Sequence, residues 1–381
     1  MPAVALVGVA MTPFGRHPDA TIGDLASEAV RGALNDAGLE AADVDAVVFS
    51  NSFDGLMSGQ ESIRGEVALA GVGFAGKTML NVENACASGL TAMYVAHTMI
   101  VAGKANRVLV VGAEKLFDED RSRSFAALRS ATDVSAYIDN GATRSVFMDH
   151  YAQKALEHME RYGSTPADFA AVAVKNSVNG SLNPLAHHRT VHDLESVLGS
   201  RVVTAPLTLF MCSPISDGAA AVLLSADAGA DGEHPLLLGT GVAIGDGRLD
   251  PTSLAAERAF VAAGVNPRDV DVAEVHDATA PAEILAIETL GLVARGEGAA
   301  FTSAGETARD GSIAVNPSGG LLARGHPIGA TGVAQVAEIV WQLRGDAGER
   351  QVAGASIGVT QNSGGVLGGE VAVAAVTVIR R

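Results

Sequence analysis

The chain has 381 residues, 48% of them hydrophobic, which is enough for two or three domains around a large core. Forty-three acids against 26 bases leave a net charge of −17, which argues against a surface built for nucleic acid or an anionic membrane but leaves room for a local basic pocket for a phosphorylated small molecule. Two distant cysteines make no disulfide framework, no apolar run approaches the ~20 residues of a membrane helix, and residues 1–15 lack a signal-peptide pattern, so a soluble cytoplasmic protein is expected.

Short Val-rich runs at 3–9, 46–50, 107–112 and 219–225 predict buried strands, and Ala-rich stretches at 22–37 and 90–102 predict helices. Their alternation predicts an α/β sheet covered by helices on both faces.

The stretch GVGFAGKT (71–78) fits two nucleotide patterns, G-x-x-x-x-G-K-[ST] and G-x-G-x-x-G. Either motif needs a strand before the glycines and a helix beginning at Lys77-Thr78, so that backbone N–H groups aim at phosphate. Here 61–70 has helical spacing and 78–85 reads as a strand. The order is reversed, and Gly71, Gly73 and Gly76 are expected to end a helix and turn the chain.

ALNDAGLEAADVDAVVFS (33–50) lies on AFVAAGVNPRDVDVAEVH (259–276) without gaps, at an offset of 226 that sets Ser50 opposite His276. Both copies read helix, glycine stop, loop, strand, which predicts two similar halves. Residues 117–201 differ in character, with clustered charges at 118–123, paired His187 and His188, and an amphipathic stretch at 152–162; an insertion over the sheet is expected there.

The chemistry concentrates in three stretches. In VENACASGLTAMYVAHTMIVAG (82–103) a strand stops near Asn84 and a helix begins after Cys86. A cysteine at a helix N-terminus sits at the positive end of the dipole, which is expected to favour its thiolate, and small neighbours let a carbonyl approach. NPSGGLLARGHPIGATG (316–332) holds His326 in a rigid turn-rich loop, fit for a base that takes a thiol proton. EVHDATAPAE (274–283) ends a strand at His276.

Those motifs resemble the thiolase superfamily, and most of all its sterol-carrier-protein branch. NACASG is similar to the nucleophile motif, GGLLARGHPIGATG to the histidine loop, and HDAT stands where the branch has His-Asp-Cys-Phe; 155–176 and 212–225 are also typical, and the similarity spans nearly the whole chain. The resemblance implies a thiolase fold: two pseudo-dyad-related α/β halves with helices around mixed sheets (1–230 and 231–381), and a loop domain inserted at about 117–201. It implies Cys86 as the acyl-carrying nucleophile, His326 as its base, and His276 as a second donor beside His326 in one oxyanion hole. The N–H groups of Cys86 and Gly364 would form the other. Coenzyme A enters as substrate, with no permanent cofactor and no metal, in a homodimer or dimer of dimers.

Two departures matter. The commoner thiolases carry an acid/base cysteine in a Cys-x-Gly motif, where this chain has Asn362-Ser363-Gly364; the branch carries it in His-Asp-Cys-Phe, where this chain has Ala278. His150 is a candidate substitute. Cys212 and His97 read as packed structure, His187-His188 as a surface loop without a third metal ligand, and 118–123 as a solvated face. Three functions compete: thiolysis of a 3-oxoacyl-CoA or its Claisen reverse; a retro-aldol carbon–carbon lyase working beside a small OB-fold and zinc-ribbon partner, as some bacterial relatives do; and a non-catalytic acyl-CoA-binding subunit. Retention of Cys86, His276 and His326 together favours the first.

Overall fold

A computed structural model describes residues 3–135, 145–229 and 234–381. The first half runs β1 (Val4–Met11), α1 (Ile22–Ala37), β2 (Ala46–Ser50), α2 (Asp54–Met57), α3 (Arg64–Ala68), β3 (Thr78–Val82), α4 (Ser88–Val101) and β4 (Arg107–Lys115). An excursion follows, with α5 (Arg121–Arg129), α6 (Val146–Tyr162), α7 (Pro166–Ser181), α8 (Leu194–Gly199) and the ribbon of β5 (Val202–Thr204) and β6 (Leu207–Thr208), before β7 (Asp217–Ser225) closes the half. The second half runs β8 (Leu236–Ala243), α9 (Pro251–Ala263), β9 (Val272–Glu274), α10 (Ala280–Thr289), α11 (Gly298–Ser303), β10 (Ala314–Val315), α12 (Gly320–Ala323), α13 (Ile328–Arg344), β11 (Ile357–Leu367) and β12 (Glu370–Arg380).

Ten strands form one mixed sheet in the order β10-β9-β11-β12-β8-β1-β7-β4-β2-β3. Read from either edge inward, the two five-strand sets match: β3-β2-β4-β7-β1 against β10-β9-β11-β12-β8. They meet through a short antiparallel contact, Val4 opposite Leu237 and Ala5 opposite Leu236.

The internal repeat holds residue for residue. Helix α1 ends at Ala37 and α9 at Ala263, each capped by a left-handed glycine, Gly38 and Gly264, both at φ 64°. That conformation costs glycine little and other residues more. One-turn helices at Ala41–Asp43 and Pro267–Asp269 follow, then β2 and β9. All obey the offset of 226.

Strand alternation assigns the layers. In the first half Ala5, Val47, Leu109, Val111, Ala221 and Leu223 face α1, while Val4, Leu6, Val48, Val110, Val222 and Leu224 face α4 and α13. Those two helices also receive Val272, Ala375 and Ile379 from the second half, whose outer face packs on α9 and α10. Helix α13 is therefore wrapped on all sides, with only Trp341 and Arg344 keeping some exposure. The excursion docks through Phe169, Val172, Ile284 and Leu322.

Residues 71–78 behave as the element order requires. Helix α3 precedes them, β3 follows, all three glycines have positive φ, and Lys77 Nζ donates to the Ala42 carbonyl at 2.8 Å. No helix among the described residues is long and apolar enough to cross a membrane.

Candidate active site

Cys86 occupies a one-turn helix, Ala85–Ala87, that leads into α4. The chain enters it through Ala85 at φ 49°, a left-handed conformation that costs a residue with a side chain roughly 1–2 kcal/mol. Local bonds hold it there: Ala85 N donates to Glu83 Oε1 at 2.6 Å, Asn84 N to Ser88 Oγ at 2.7 Å, and Ser88 Oγ to the Ala85 carbonyl at 2.6 Å.

Burial corrects the thiolate expectation. The Cys86 thiol is pushed up to about 12, chiefly by desolvation and then by the carboxyls of Glu114 and Glu83. The helix end does not outweigh the loss of water, so Cys86 rests as a thiol and needs a base.

His326 stands beside it. It lies between α12 and α13, with Nδ1 2.8 Å from Thr331 Oγ1, whose own proton goes to the Pro327 carbonyl at 2.9 Å. Thr331 has no second proton to give, so it accepts from the His326 Nδ1–H and leaves the Nε2 lone pair free. Burial, His276 and Arg324 together hold the ring well below the ordinary histidine range, so it is neutral at physiological pH.

His276 follows β9, and burial lowers it to about 3. Its ring crosses that of His326 edge-on, with centroids 5.1 Å apart. Its Nδ1 is buried with no hydrogen-bond partner among the described residues, an exception of the kind that marks functional groups. The neighbouring Asp277 anchors the motif by accepting from Leu321 N at 2.7 Å and Asn176 Nδ2 at 2.8 Å. A ligand atom from each of Cys86, His276 and His326 lies within 4.8 Å of the other two. Three such donors could also hold a metal ion, but a metal would occupy both the sulfur and its base.

The Gly365 amide, one residue beyond the expected Gly364, and the amide of Cys86 itself act on the Cys86 thiol against the effect of burial. Successive strand amides point to opposite sides. Gly364 sits in register with Val373 and presses against the turn before α4, where an added Cβ would lie 2.2 Å from the Asn84 carbonyl oxygen.

A cavity of about 710 Å³ opens onto these residues. Ala278 lines it, as do Phe125, Leu128, Met148 and Tyr151. Exposed Arg16, Arg121 and Arg201 stand on its rim, a local cationic mouth on an acidic protein. His150 is on the wall, beside the β11–β12 turn and near the Gly369 backbone, Lys154 and Glu370.

Cys212 differs from its expected role as plain core: it is half-buried and lines the cavity, bridged to Thr279 beside Ala278. The histidine pair is more than a surface loop, since the His187 and His188 amides donate to the Arg324 and Ala323 carbonyls and pin the His326 loop. His97 is packed as expected, near Thr240. In 118–123, Arg123 pairs with Asp118 in a solvated setting, yet Asp118 and Arg121 also line the cavity. Sequence reasoning missed Tyr151, Gly365 and Thr331; Thr331 had a signal, its place in the motif that holds His326.

Residues 4–191 match the thiolase N-terminal domain and residues 245–377 the thiolase C-terminal domain-like family. The chain belongs to the thiolase family. This thiolase is 43% identical to an acetyl-CoA acetyltransferase of Methanothermobacter thermautotrophicus, over 97% of its own length and 98% of that protein. It is 35% identical to human sterol carrier protein 2, over 97% of its own length and 71% of that chain. In fold it is similar to the Ltp2-ChsH2(DUF35) aldolase (TM-score 0.82, 23% identity, 100% of this chain and 98% of that one). It is also similar to human mitochondrial 3-ketoacyl-CoA thiolase (TM-score 0.76, 20% identity, 100% and 98%). Its function is that of a thiolase-type acyltransferase.

Proposed function

We propose that this thiolase cleaves 3-oxoacyl-CoA by thiolysis, or runs the reverse Claisen condensation, through an acyl group carried on Cys86. The observation that carries this reading is the convergence of Cys86, His276 and His326 within 4.8 Å at the cavity. His326 Nε2 takes the thiol proton, and the sulfur attacks the keto carbon. The N–H groups of Cys86 and Gly365 stabilise the oxyanion that forms there. The two histidines face the thioester oxygen of the departing enolate. Coenzyme A enters as substrate, with its phosphates at Arg16, Arg121 and Arg201.

Two halves, 1–230 and 231–381, build the site, and the loop domain at about 117–201 covers it. Strand β3 is a sheet edge with Leu80 exposed, and an unpaired edge of this kind supports pairing with a second copy in a homodimer. A dimer of dimers would need a further surface. Both cysteines are free, which supports a reducing cytoplasmic compartment. The second reading is a retro-aldol lyase beside a small OB-fold and zinc-ribbon partner; alanine at 278 and the fold shared with an aldolase in complex favour it.

Intact mass after incubation with acyl-CoAs tests the choice. One acyl adduct should map to Cys86 and vanish in Cys86→Ser. An adduct that survives the substitution, or none with any acyl-CoA, would remove the acyl-cysteine reading.

A further inference from the structure

We propose that the Tyr151 hydroxyl is the acid/base group that moves the α-carbon proton, in place of the absent cysteine; this rests on the acyl-Cys86 reading.

The thiolysis step leaves an electron pair on the α-carbon of the departing enolate, and something must protonate it. Cys86 is then acylated and His326 already holds the thiol proton. The third group must lie in the same cavity. Ala278 cannot serve, and Asn362 is buried, with its Nδ2 donating to Gln335 Oε1 at 2.6 Å. Cys212 is spoken for, since its thiol donates to the Thr208 carbonyl at 3.4 Å.

Helix α6 presents two candidates at neighbouring positions, about 100° apart around its axis. His150 lies beside the β11–β12 turn, near Lys154 and Glu370. Tyr151 faces the reacting end. It lines the cavity with Cys86, His276, Ala278 and His326. The charges it feels are those of Cys86 and Asp277, whereas those acting on His150 come from Lys154, Glu370 and Glu157. Its hydroxyl makes no hydrogen bond to any described residue, so the O–H is available to a substrate.

Burial, then Cys86 and Asp277, raise the phenol above its ordinary range, so it rests protonated. That suits thiolysis. The C2–C3 bond breaks, its electron pair goes to C2, and the Tyr151 O–H gives its proton to C2, so acetyl-CoA leaves. The phenolate then takes the thiol proton of incoming coenzyme A. The coenzyme A thiolate attacks the acyl carbon, and Cys86 departs as thiolate and recovers its proton from His326. The Claisen direction is the same sequence reversed. No oxidant or other co-reactant is needed.

The experiment compares two half-reactions in the full chain: acyl adduct formation on Cys86, read by mass, and exchange of the acetyl-CoA α-protons for deuterium in D₂O. Wild type should do both. Tyr151→Phe should still reach the Cys86 adduct at completion, more slowly because Tyr151 also protonates the departing coenzyme A thiolate. It should exchange about 10²- to 10⁴-fold more slowly, the span of a general acid–base group. Adding Ala278→Cys to Tyr151→Phe should restore part of the exchange, which a merely structural tyrosine would not allow. Exchange unchanged in Tyr151→Phe, or lost in His150→Ala while Tyr151→Phe keeps it, overturns the proposal. So does a wild-type chain that acylates but never exchanges, which leaves acyl transfer standing. Absence of acylation in wild type defeats the acyl-cysteine reading instead.

Discussion

Gly89 of α4 and Gly332 of α13 touch where the two central helices cross. A Cβ on Gly89 would lie 2.9 Å from Val333 N, and one on Gly332 would lie 2.7 Å from Leu90 N. The crossing sets the separation of Cys86, three residues before Gly89, from His326, six before Gly332. Backbone-to-backbone contact of this kind leaves no room for even a methyl group.

Gly332→Ala should therefore destabilise the protein by about 1–3 kcal/mol, the usual range for overpacking, and slow acylation beyond that loss. The thermal midpoint and the single-turnover acylation rate check it. A variant as stable and as fast as wild type would show that the helices separate without cost.

Thr331→Val removes the acceptor of the His326 Nδ1–H. A buried donor left unpaired costs about 1–3 kcal/mol. Carried into the barrier, this is a roughly 10- to 100-fold slower acylation of Cys86. Thr331→Ser keeps the oxygen and should stay near the wild-type rate. Equal rates in both variants would refute the tautomer assignment.

Neither His326 nor Cys86 should impose a midpoint on acylation across the ordinary histidine range. The Glu114 carboxyl beside the thiol, raised by burial to about 7, is a group that does titrate there. His326 is held well below 6.5 and the Cys86 thiol at about 12, so neither changes charge between about pH 6.5 and 10. A midpoint near 6.5 in the stopped-flow rate that persists in Glu114→Gln would contradict this. Stability carries the opposite mark of the same burial. His276 takes its proton at about 3 when folded but near 6.5 when unfolded, so between those values the unfolded chain binds more protons. Stability should fall as pH drops from about 6.5 toward 3, and His276→Phe should flatten part of that slope in urea titrations.

Lys77→Ala should leave thiolysis unchanged, and ATP should not shift the melt. A ligand at 100 times its dissociation constant would add about 2.7 kcal/mol, which a melt would reveal. An ATP shift that Lys77→Ala removes would restore the phosphate-loop reading.

EDTA should leave acylation untouched, whereas added zinc should inhibit it reversibly by bridging Cys86, His276 and His326. Activity lost to EDTA and regained with zinc would reassign the cluster.

What the sequence determined by itself is local. Alternating apolar residues placed the central strands, glycine stops ended α1 and α9, and the offset of 226 carried the equivalence of β2 and β9 in the two halves. The reversed order around 71–78 excluded a phosphate loop without coordinates, because helix and strand signals are short-range. That Cys86, His276 and His326 belong to one site was legible because each sits in a stretch whose small residues serve its turn. Tertiary structure decided the rest. Whether Cys86 rests as thiol or thiolate depends on water excluded by residues far along the chain, and the helix start alone pointed the wrong way. That the Gly365 amide, one residue past Gly364, also acts on the thiol depends on how strand β11 passes Cys86. Tyr151 and His150 are adjacent in sequence and both line the cavity, and the packing of α6 decides that Cys86 and Asp277 act on the first and Lys154 and Glu370 on the second.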